Sequence, residues 1–397
     1  MTYDFDAPID RHGTDCLKFD RPEKRGRTAD LLSLWVADMD FPTASEIVDA
    51  VVKRAKHGIF GYTEPGPDYF KALDAWCFER YGFHAPEEQV TVTPGVVFAL
   101  ATAVRAFTKP GDAVLVQQPV YYPFSAVAEA SGRRLANAPL SFDGKRYFID
   151  LDAFEHTIVD TNAKLYLLCN PHNPVGRAWT ADELAKVATI CKRHGVIIVS
   201  DEIHMDFARP GFSHTSLATL AENAGLEGRY AICTSASKTF NLAGLQVANI
   251  IIPDEGLRSA FRNENLTVGY SQPNTLGMVA TQAAYEHGGP WLDQLKGYLE
   301  GNWQLLGEML ADRTPELQLI EAESTYLAWI DCHALGLDAQ QLERFIEDEA
   351  GLWLDCGHMF GAGGEGFIRI NIATQRSYLE RAIDQLATAV EKRRTNL

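Results

Sequence analysis

A lysine and two hydroxyl groups directly follow an apolar run that is typical of a β-strand. The segment Ser235-Ala-Ser-Lys238 comes after Tyr230–Thr234. Because α/β sheets bind ligands at the carboxyl ends of their strands, we expect this lysine to lie at such an edge. A lysine removed from water has a lowered pKa and can form a Schiff base. Ser235 and Ser237 could bind an anion beside it, although an isolated Ser-x-x-Lys pattern is also common on solvated surfaces.

A carboxylate and an imidazole follow a second apolar run. Ser200-Asp-Glu-Ile-His204 stands at the end of Val196–Ser200, which we predict to be a strand. Asp201 could be a buried proton partner, a metal ligand or a simple solvated strand end. We find no third ligand at a suitable spacing from Asp201 and His204, and we therefore predict no metal site.

A glycine turn after the predicted strand Val90–Thr93 is suited to holding an anion. It leads into an Ala-rich helical pattern over residues 96–107. Gly95 lets a ligand approach the backbone closely, and the helix N-terminus at Val96 and Val97 presents free N–H groups. The segment matches neither a Walker sequence nor Gly-x-Gly-x-x-Gly, so it carries no nucleotide signature.

Two more strand ends carry an amide and a pair of aromatic rings. Asn173 lies in a turn with two Asn-Pro pairs after Leu165–Cys169, and Tyr121 and Tyr122 follow Ala113–Gln117. Both features also have structural interpretations, as a rigid loop and as aromatic packing under a loop. The functional interpretation is that Asn173 points its amide into a site and that an aromatic ring stacks on a flat ligand.

Together these strand ends supply the groups that pyridoxal 5'-phosphate requires: a lysine, an acid, an amide, an anion cradle and an aromatic ring. The lysine would hold the aldehyde, and the acid would keep the pyridine nitrogen protonated so that the ring accepts electrons. The helix N-terminus would take the phosphate. We therefore predict this cofactor at the carboxyl edge of the sheet.

Alternating strand and helix patterns predict an α/β fold with a mostly parallel sheet and helices on both faces. Thr180-Ala-Asp-Glu183 is a capping-box pattern and predicts a helix that runs to about His194. The predicted domains are an N-terminal arm over 1–45 that packs on a smaller domain, a large cofactor domain over 46–288, and that smaller α+β domain over 289–397. The other predicted elements are strands over 248–252, near 319–330 and over 367–372, and helices over 291–311, 338–349 and 376–393.

Composition limits the partners and the compartment. Among 397 residues, 53 Asp and Glu outnumber 36 Lys and Arg, which gives a formal net charge of −17. Nucleic acids and anionic membranes attract basic surfaces, so we predict neither as a partner. The N-terminus lacks an apolar signal core, and the seven cysteines are widely spaced without a Cys-x-x-Cys. These features favour a cytoplasmic protein with reduced thiols.

Seven sequence motifs, in order along nearly the whole chain, carry a family resemblance. The sequence resembles fold-type I pyridoxal phosphate enzymes of the class I/II aminotransferase superfamily, and within it the cystathionine β-lyase (C–S lyase) branch. The resemblance implies a pyridoxal-phosphate-dependent transferase-like fold. The motifs are Trp35-Val-Ala-Asp-Met-Asp-Phe41, Gly61-Tyr-Thr63, Pro119-Val-Tyr-Tyr-Pro-Phe124, Asn170-Pro-His-Asn-Pro-Val-Gly-Arg177, Ser200-Asp-Glu-Ile-His204, Ser237-Lys-Thr-Phe-Asn-Leu-Ala-Gly-Leu-Gln246 and Phe367-Ile-Arg-Ile-Asn371.

The resemblance implies a role for each candidate. Lys238 would form the Schiff base, Asp201 would pair with the pyridinium nitrogen, and Asn173 would bind the phenolate oxygen. Tyr121 would stack on the ring, with Tyr122 as the less favoured choice and as a substrate-binding candidate. The implied phosphate ligands are Gly95, Val96, Val97, Ser235 and Ser237, with Tyr62 supplied by the neighbouring subunit of a homodimer.

The same resemblance implies how substrate is held. Arg369 would bind the substrate α-carboxylate, which suits its bidentate fork. Two positions depart from the aminotransferase pattern and are similar to the lyase branch. Gln246 stands where aminotransferases usually place a phosphate-binding Arg, and His204 stands where many have a Tyr on the phenolate oxygen. His204 is therefore also a cofactor-binding candidate.

The implied reaction is an α,β-elimination. The enzyme would cleave L-cystathionine or related cysteine S-conjugates, which are small sulfur amino acids, to a thiol, pyruvate and ammonia, with Lys238 as general base at Cα. Two alternatives stay open. One is an aminotransferase that uses the same cofactor and shares the first proton transfer. The other is a regulatory binding protein that retains the cofactor site.

Overall fold

The computed structural model describes residues 2–28, 30–221 and 223–396. Its α-helices are α1 Ser45–His57, α2 Pro67–Tyr81, α3 Val96–Phe107, α4 Pro123–Ala130, α5 Leu151–Thr161, α6 Ala181–Arg193, α7 Leu217–Leu220, α8 Ala236–Thr239, α9 Glu255–Thr267, α10 Thr275–His287, α11 Gly289–Arg313, α12 Ala339–Arg344 and α13 Arg376–Asn396. Its strands are β1 Leu32–Ser33, β2 Val90–Thr93, β3 Ala113–Val116, β4 Arg134–Asn137, β5 Ser141–Phe142, β6 Tyr147–Phe148, β7 Leu165–Cys169, β8 Ile197–Asp201, β9 Tyr230–Thr234, β10 Ala248–Ile251, β11 Gln318–Leu319, β12 Leu327–Asp331, β13 Leu352–Trp353, β14 Asp355–Cys356 and β15 Phe367–Asn371.

A mostly parallel sheet forms the centre of the molecule. Within the described residues it has seven strands in the order β2-β10-β9-β8-β7-β3-β4. The neighbours from β9 to β4 pair in parallel. Parallel strands bring their carboxyl ends to one edge, so the segments after β3, β7, β8 and β9 meet there. The predicted α/β architecture is confirmed.

The strands of this sheet contribute to two apolar cores. In β7, Leu165, Leu167 and Cys169 belong to one core, whereas Tyr166 and Leu168 belong to the other. Successive side chains of a strand point to opposite faces, so both faces of the sheet are covered. This burial on both sides explains why the strand sequences are continuous apolar runs rather than alternating patterns.

Strand β10 runs against its neighbours. It pairs antiparallel with β2 on one side and with β9 on the other. A parallel return would need a crossover long enough to span the sheet, usually a full helix. The connection over 235–247 instead holds the short helix α8 and a 3-10 turn. The chain therefore turns back at the same edge, and this return keeps Lys238 beside the strand ends.

A smaller antiparallel sheet has the order β11-β12-β15-β14. The N-terminal segment joins the same part of the chain, because β1 pairs with β13 with Leu32 opposite Leu352. Phe5 packs its ring against Trp291 at 5.9 Å between centroids. The division into 1–45, 46–288 and 289–397 stays a prediction, and its positions 1, 29, 222 and 397 lie outside the described residues.

Several boundaries differ from the sequence prediction. The strand predicted near 319–330 is two strands, β11 and β12, separated by the irregular segment 320–326. The helix predicted over 338–349 is α12, followed by a π-helical turn over Phe345–Glu349. Strand β8 extends through Asp201, one residue further than predicted, so this acid is itself part of the ladder.

The seven cysteines are free thiols and six of them are buried, which agrees with their wide spacing. In the described part of the chain, none of the helices combines the length and the apolarity that a membrane crossing requires.

Helix α6 begins at the predicted capping box. Thr180 Oγ1 accepts a hydrogen bond from Glu183 N at 3.3 Å, and Glu183 Oε2 accepts from Thr180 N at 2.9 Å. These bonds satisfy two amide donors that would otherwise lack partners in the first turn. Leu184, Val187 and Cys191 on the buried face of α6 then pack in the core.

We expect Thr180→Ala to lower the free energy of unfolding by about 1 kcal/mol, the usual effect of losing an N-cap side chain. Chemical denaturation would measure the change. Thr189→Ala, on the exposed face of the same helix, is the matched control and should change stability by less than Thr180→Ala. Equal effects of the two substitutions would contradict a stabilising role for the cap.

Candidate active site

Lys238 lies at the turn between β9 and β10, on helix α8. Ser235 caps this helix: its Oγ accepts from Ser237 N at 3.0 Å and donates to Val247 O at 2.6 Å. Lys238 Nζ donates to Ala37 O at 2.6 Å. Burial lowers the pKa of Lys238 to about 8; the nearby Arg369 cation adds to this effect, whereas carboxylates oppose it. A lysine in this state is a competent nucleophile and base near neutral pH.

A cavity of about 690 Å³ opens onto this lysine. Asp38, Asn241 and Arg11 also line it. Arg11 pairs with Asp38 at 2.6 Å and with Asp40 at 2.7 Å, so the arm side of the cavity carries charges of both signs that are already paired. The space is large enough for a small amino acid, in the range typical of small-molecule sites.

Asp201 ends β8 as a buried carboxylate. Within the described residues its oxygens accept one hydrogen bond, from Ile203 N at 3.1 Å. Burial raises the pKa of Asp201 to about 7, and the neighbouring Glu202 adds to this rise, whereas Lys238 opposes it. A buried carboxylate without a hydrogen-bonded cation is suited to a ligand that brings a protonated nitrogen.

His204 is buried beside the same strand end. Its Nδ1 has no hydrogen-bond partner among the described residues. Burial lowers its pKa well below the usual value, with Lys238 and Arg369 adding to the effect, so the ring is neutral. Its ring centroid lies 5.9 Å from that of Tyr326. A neutral imidazole with a free buried nitrogen can bind one polar ligand atom.

Arg369 on β15 reaches the site from the smaller sheet. Its Nη1 donates to Asn173 Oδ1 at 2.9 Å, and its Nη2 donates to Trp35 O at 2.9 Å and to Asp355 Oδ2. Arg369 and Asp355 face each other across β14 and β15. Arg369 Nε is buried without a partner in the described residues. The structure thus places the two predicted residues Asn173 and Arg369 in direct contact.

The aromatic pair lies beside this contact. Tyr121 N donates to Asn173 O at 3.0 Å, which ties the two strand ends together. Burial raises the pKa of Tyr121, so its phenol stays protonated. Tyr122 is more exposed and its ring centroid lies 5.0 Å from that of Tyr121. Of the two, Tyr121 is the ring held inside the site.

The predicted anion cradle stands where two strands end together. Thr93 at the end of β2 is opposite Ala248 of β10, and Thr234 of β9 is opposite Asn249, so the segments at Gly95 and Ser235 leave the same edge. Gly95 precedes α3, and a side chain there would meet no atom within 4 Å. The cradle therefore borders open space. Val96 is buried, whereas Val97 is exposed.

Two residues of the sequence prediction lie apart from these contacts. Tyr62 is 95% exposed in the segment between α1 and α2. Gln246 is exposed and has a left-handed backbone, with φ of 53°. The predicted roles of all these residues toward a cofactor stay predictions.

Sequence reasoning missed the importance of the segment 35–41. Asn371 Nδ2 donates to Val36 O and to Asp38 O, both at 2.6 Å. Asn241 Nδ2 donates to Met39 O at 2.9 Å and to Phe41 O at 3.0 Å. These bonds hold Ala37 O where Lys238 can reach it.

Three further side chains of this site went unnoticed. Tyr326 Oη donates to Ala37 O at 3.0 Å. Asp38 acts on the lysine through charge, and Asp355 on the arginine through an ion pair. Asp355 could have been detected as an acid inside the apolar run Leu352-Trp-Leu-Asp-Cys356, whereas the sequence around Tyr326 holds no such signal.

Comparisons with known proteins identify the family to which the chain is similar. The aminotransferase class I and II family profile matches residues 29–386. Cystathionine beta-lyase PatB of Bacillus subtilis is 39% identical over 386 residues, covering 97% of this chain and 99% of that protein. Cystalysin from Treponema denticola, whose crystal structure contains a pyridoxal 5'-phosphate cofactor, is 34% identical with a TM-score of 0.95, covering 99% and 100% of the two chains. A PLP-bound C-S lyase from Staphylococcus hominis is 32% identical with a TM-score of 0.91, covering 98% of each chain.

We expect the Lys238 amine of the cofactor-free protein to titrate near pH 8, because burial removes water from its charged form. Below that pH the amine is protonated and unreactive, and above it the amine is free. Competitive acetylation across a pH series, read by peptide mass spectrometry, measures this midpoint, with exposed Lys71 as the internal reference. A Lys238 midpoint equal to that of Lys71 would contradict the buried setting.

Proposed function

This chain belongs to the class I and II aminotransferase family, and we propose that it uses pyridoxal 5'-phosphate to cleave the Cβ–S bond of sulfur amino acids. The observation that carries the proposal is the half-buried Lys238 amine, whose pKa is lowered and which lies close enough to Asp201 and Arg369 for their charges to act on it. The full-length similarity to a cystathionine beta-lyase and to C-S lyases supports the lyase branch.

The residues present fit this cofactor. Asp201 is a buried carboxylate that lacks a hydrogen-bonded cation within the described residues, His204 has a free buried nitrogen, and Lys238 has a lowered pKa. These groups would hold the ring nitrogen, an oxygen on the ring and the aldehyde carbon respectively, with Asn173 as a second donor to the ring oxygen. When bound, the cofactor withdraws the electron pair that is left at Cα.

The phosphate would be held without an arginine at position 246. The proposed donors are the backbone amides at Gly95–Val97 and the residues Ser235 and Ser237. The N-terminus of α3 favours an anion through its free N–H groups and its dipole. Ser235 Oγ already donates to Val247 O, so the amide of this residue is the donor that remains for the phosphate.

Substrate orientation would come from Arg369. Its guanidinium binds the α-carboxylate, and its contacts with Asn173 and Asp355 fix the plane of the fork. Tyr121, held by Asn173 O, would pack on the cofactor ring, and Tyr122 would border the substrate. With the substrate held in this way, the Lys238 amine would be the base at Cα.

Lys238 would take the proton from Cα as a free amine. Its lowered pKa makes that free amine available near neutral pH. Loss of the proton from Cα and of the thiolate from Cβ leaves an enamine, which hydrolyses in water to pyruvate and ammonia. We propose L-cystathionine as the first substrate to test and other cysteine S-conjugates as its relatives.

We also propose that the protein acts as a homodimer with shared sites. Apolar side chains are exposed on α1 and just after it: Val48, Val52, Ile59, Phe60 and Tyr62, the last at 95% exposure. Thr63 Oγ1 lies 2.6 Å from Thr275 Oγ1, so the segment that carries Tyr62 is fixed against the start of α10. Such a patch is typical of a surface that a second copy covers. Tyr62 would then reach the phosphate of that copy. A cytoplasmic location also stays a proposal.

We expect steady pyruvate formation from L-cystathionine with pyridoxal 5'-phosphate and without any 2-oxo acid. Lys238→Ala should lower the turnover number by about 10²–10⁴-fold, because the general base is lost. Lys186→Ala, a surface lysine on α6, is the matched control and should retain activity. A strict requirement for a 2-oxo acid would contradict the lyase proposal and favour an aminotransferase. A cellular effect that survives Lys238→Ala would favour the regulatory alternative.

We expect Tyr62→Ala to weaken cofactor binding by about tenfold, the effect of losing one hydrogen bond to a charged group. At a pyridoxal 5'-phosphate concentration too low to load Tyr62→Ala dimers, that protein mixed with Lys238→Ala protein should show roughly a quarter of wild-type activity, since half the dimers would be hybrids with one intact site each. Analytical ultracentrifugation checks the dimer itself. No recovery in the mixture, with dimers present, would contradict a Tyr62 that acts across the interface.

A further inference from the structure

Asp206 is a buried carboxylate with no part in the proposed reaction. It follows β8 on the same segment as Asp201 and His204, within a 3-10 turn over Met205–Phe207, and it is 5% exposed. Burying a carboxylate is costly unless donors satisfy it. Its burial beside the site therefore calls for a role.

Two hydroxyl groups satisfy this carboxylate. Thr239 Oγ1 donates to Asp206 Oδ2 at 2.5 Å, and Tyr81 Oη donates to Asp206 Oδ1. Burial raises the pKa of Tyr81 well above its usual value, and Asp206 adds to the rise, so the phenol remains a donor. Both partners are neutral, which distinguishes Asp206 from the carboxylates that pair with arginine in this protein. Thr239 directly follows Lys238 in the chain.

Helix α8 is too short to fix its own orientation. It spans only Ala236–Thr239, about one turn, and a single turn is marginal without tertiary support. On its N-terminal side, Ser235 Oγ is bound to Val247 O. On its C-terminal side, Thr239 is bound to Asp206. Lys238 stands between these two anchors.

We propose that Asp206 is a positioning residue that fixes the helical turn of Lys238 through the Thr239 hydroxyl. The inference rests on the assignment of Lys238 as the cofactor lysine in the proposed function. A lysine that must both hold the aldehyde and meet Cα needs its backbone in one place, because small displacements of a reacting group cost large factors in rate. The hydrogen bond between Thr239 and Asp206 joins that backbone to the segment that follows β8, the strand that carries Asp201.

The titration midpoint of Lys238 reports its position, because charged groups surround the amine. Asp38 faces it from the segment 35–41, Asp201 from β8 and Arg369 from β15, with the neutral residues His204 and Tyr326 nearby. On the far side of the anchor, Asp206 is faced by Tyr81, Cys77, Tyr285 and Lys296. A loosened turn would let water reach the Lys238 amine, so its titration midpoint should rise toward that of a solvated lysine.

The test compares Thr239→Val, which has nearly the same shape without the hydroxyl, with Thr239→Ser, which retains it. Thr314→Val is the matched control: Thr314 is also buried, and among the described residues its hydroxyl donates only to Leu310 O at 3.2 Å, at the end of α11. Three measurements apply to each protein: the melting temperature, the pH midpoint of Lys238 acetylation without cofactor, and the pH titration of visible absorbance with pyridoxal 5'-phosphate bound. None of them needs a substrate.

For Thr239→Val we expect an upward shift of the Lys238 acetylation midpoint and an altered absorbance titration. With substrate, the turnover number should fall by about ten- to a hundredfold with little change in KM. Thr239→Ser should restore most of each value, and Thr314→Val should leave them at the wild-type level. Asp206→Asn should shift the Lys238 midpoint and the turnover number in the same direction. For these two values the double variant with Thr239→Val should be no worse than Thr239→Val alone, because Asp206 acts on the lysine through its bond to Thr239.

A Thr239→Val protein with wild-type midpoint, absorbance titration and turnover number would overturn the proposal. So would additive effects of Asp206→Asn and Thr239→Val on the Lys238 midpoint, or a melting-temperature loss that Thr239→Ser fails to restore together with the midpoint. Failure of the proposed function gives a different pattern. A wild-type protein that binds the cofactor but does not cleave L-cystathionine leaves both titrations interpretable, and absorbance that survives Lys238→Ala refutes the lysine assignment itself.

Discussion

The asparagine amides of Asn241 and Asn371 hold the backbone of residues 35–41, and the rest of the site depends on that segment. Asn241 comes from the turn after Lys238, whereas Asn371 ends the strand that carries Arg369. Each side chain donates to two carbonyl groups of the segment, so one short stretch of backbone links the lysine turn to the smaller sheet. Hydrogen bonds of this kind fix the orientation of the backbone as well as its distance, because donor and acceptor must align.

The carbonyl groups of this segment then serve as ligands. Ala37 O accepts from both Lys238 and Tyr326, and Trp35 O accepts from Arg369. A carbonyl oxygen has two lone pairs and can satisfy two donors without adding a charge. The carbonyl groups of the segment therefore stabilise the half-buried Lys238 and the buried Arg369, while the carboxylates Asp38, Asp201 and Asp355 set the local charge balance.

The sequence predicted the strand ends well because each end is a local pattern. An apolar run followed by Gly95, Asn173, Asp201 or Lys238 can be recognised within ten residues, and the parallel sheet then brings these ends together. The antiparallel return of β10 and the contacts of Asp355 and Tyr326 were not predictable in this way. They depend on pairing across the sheets, which no local spacing records. Likewise, the importance of residues 35–41 comes from partners about two hundred and more than three hundred positions away.

The guanidinium of Arg369 already has internal partners, Asn173 on one nitrogen and Asp355 on another. If Arg369 binds the substrate carboxylate as proposed, that binding would therefore involve an exchange of ligands rather than the capture of an anion by a bare cation. A bond that a carboxylate gained from Nη1 or Nη2 would replace a bond within the protein, whereas Nε has no partner among the described residues, and the nearby Asp355 would repel the carboxylate. A site of this kind would select its ligands by geometry as well as by charge.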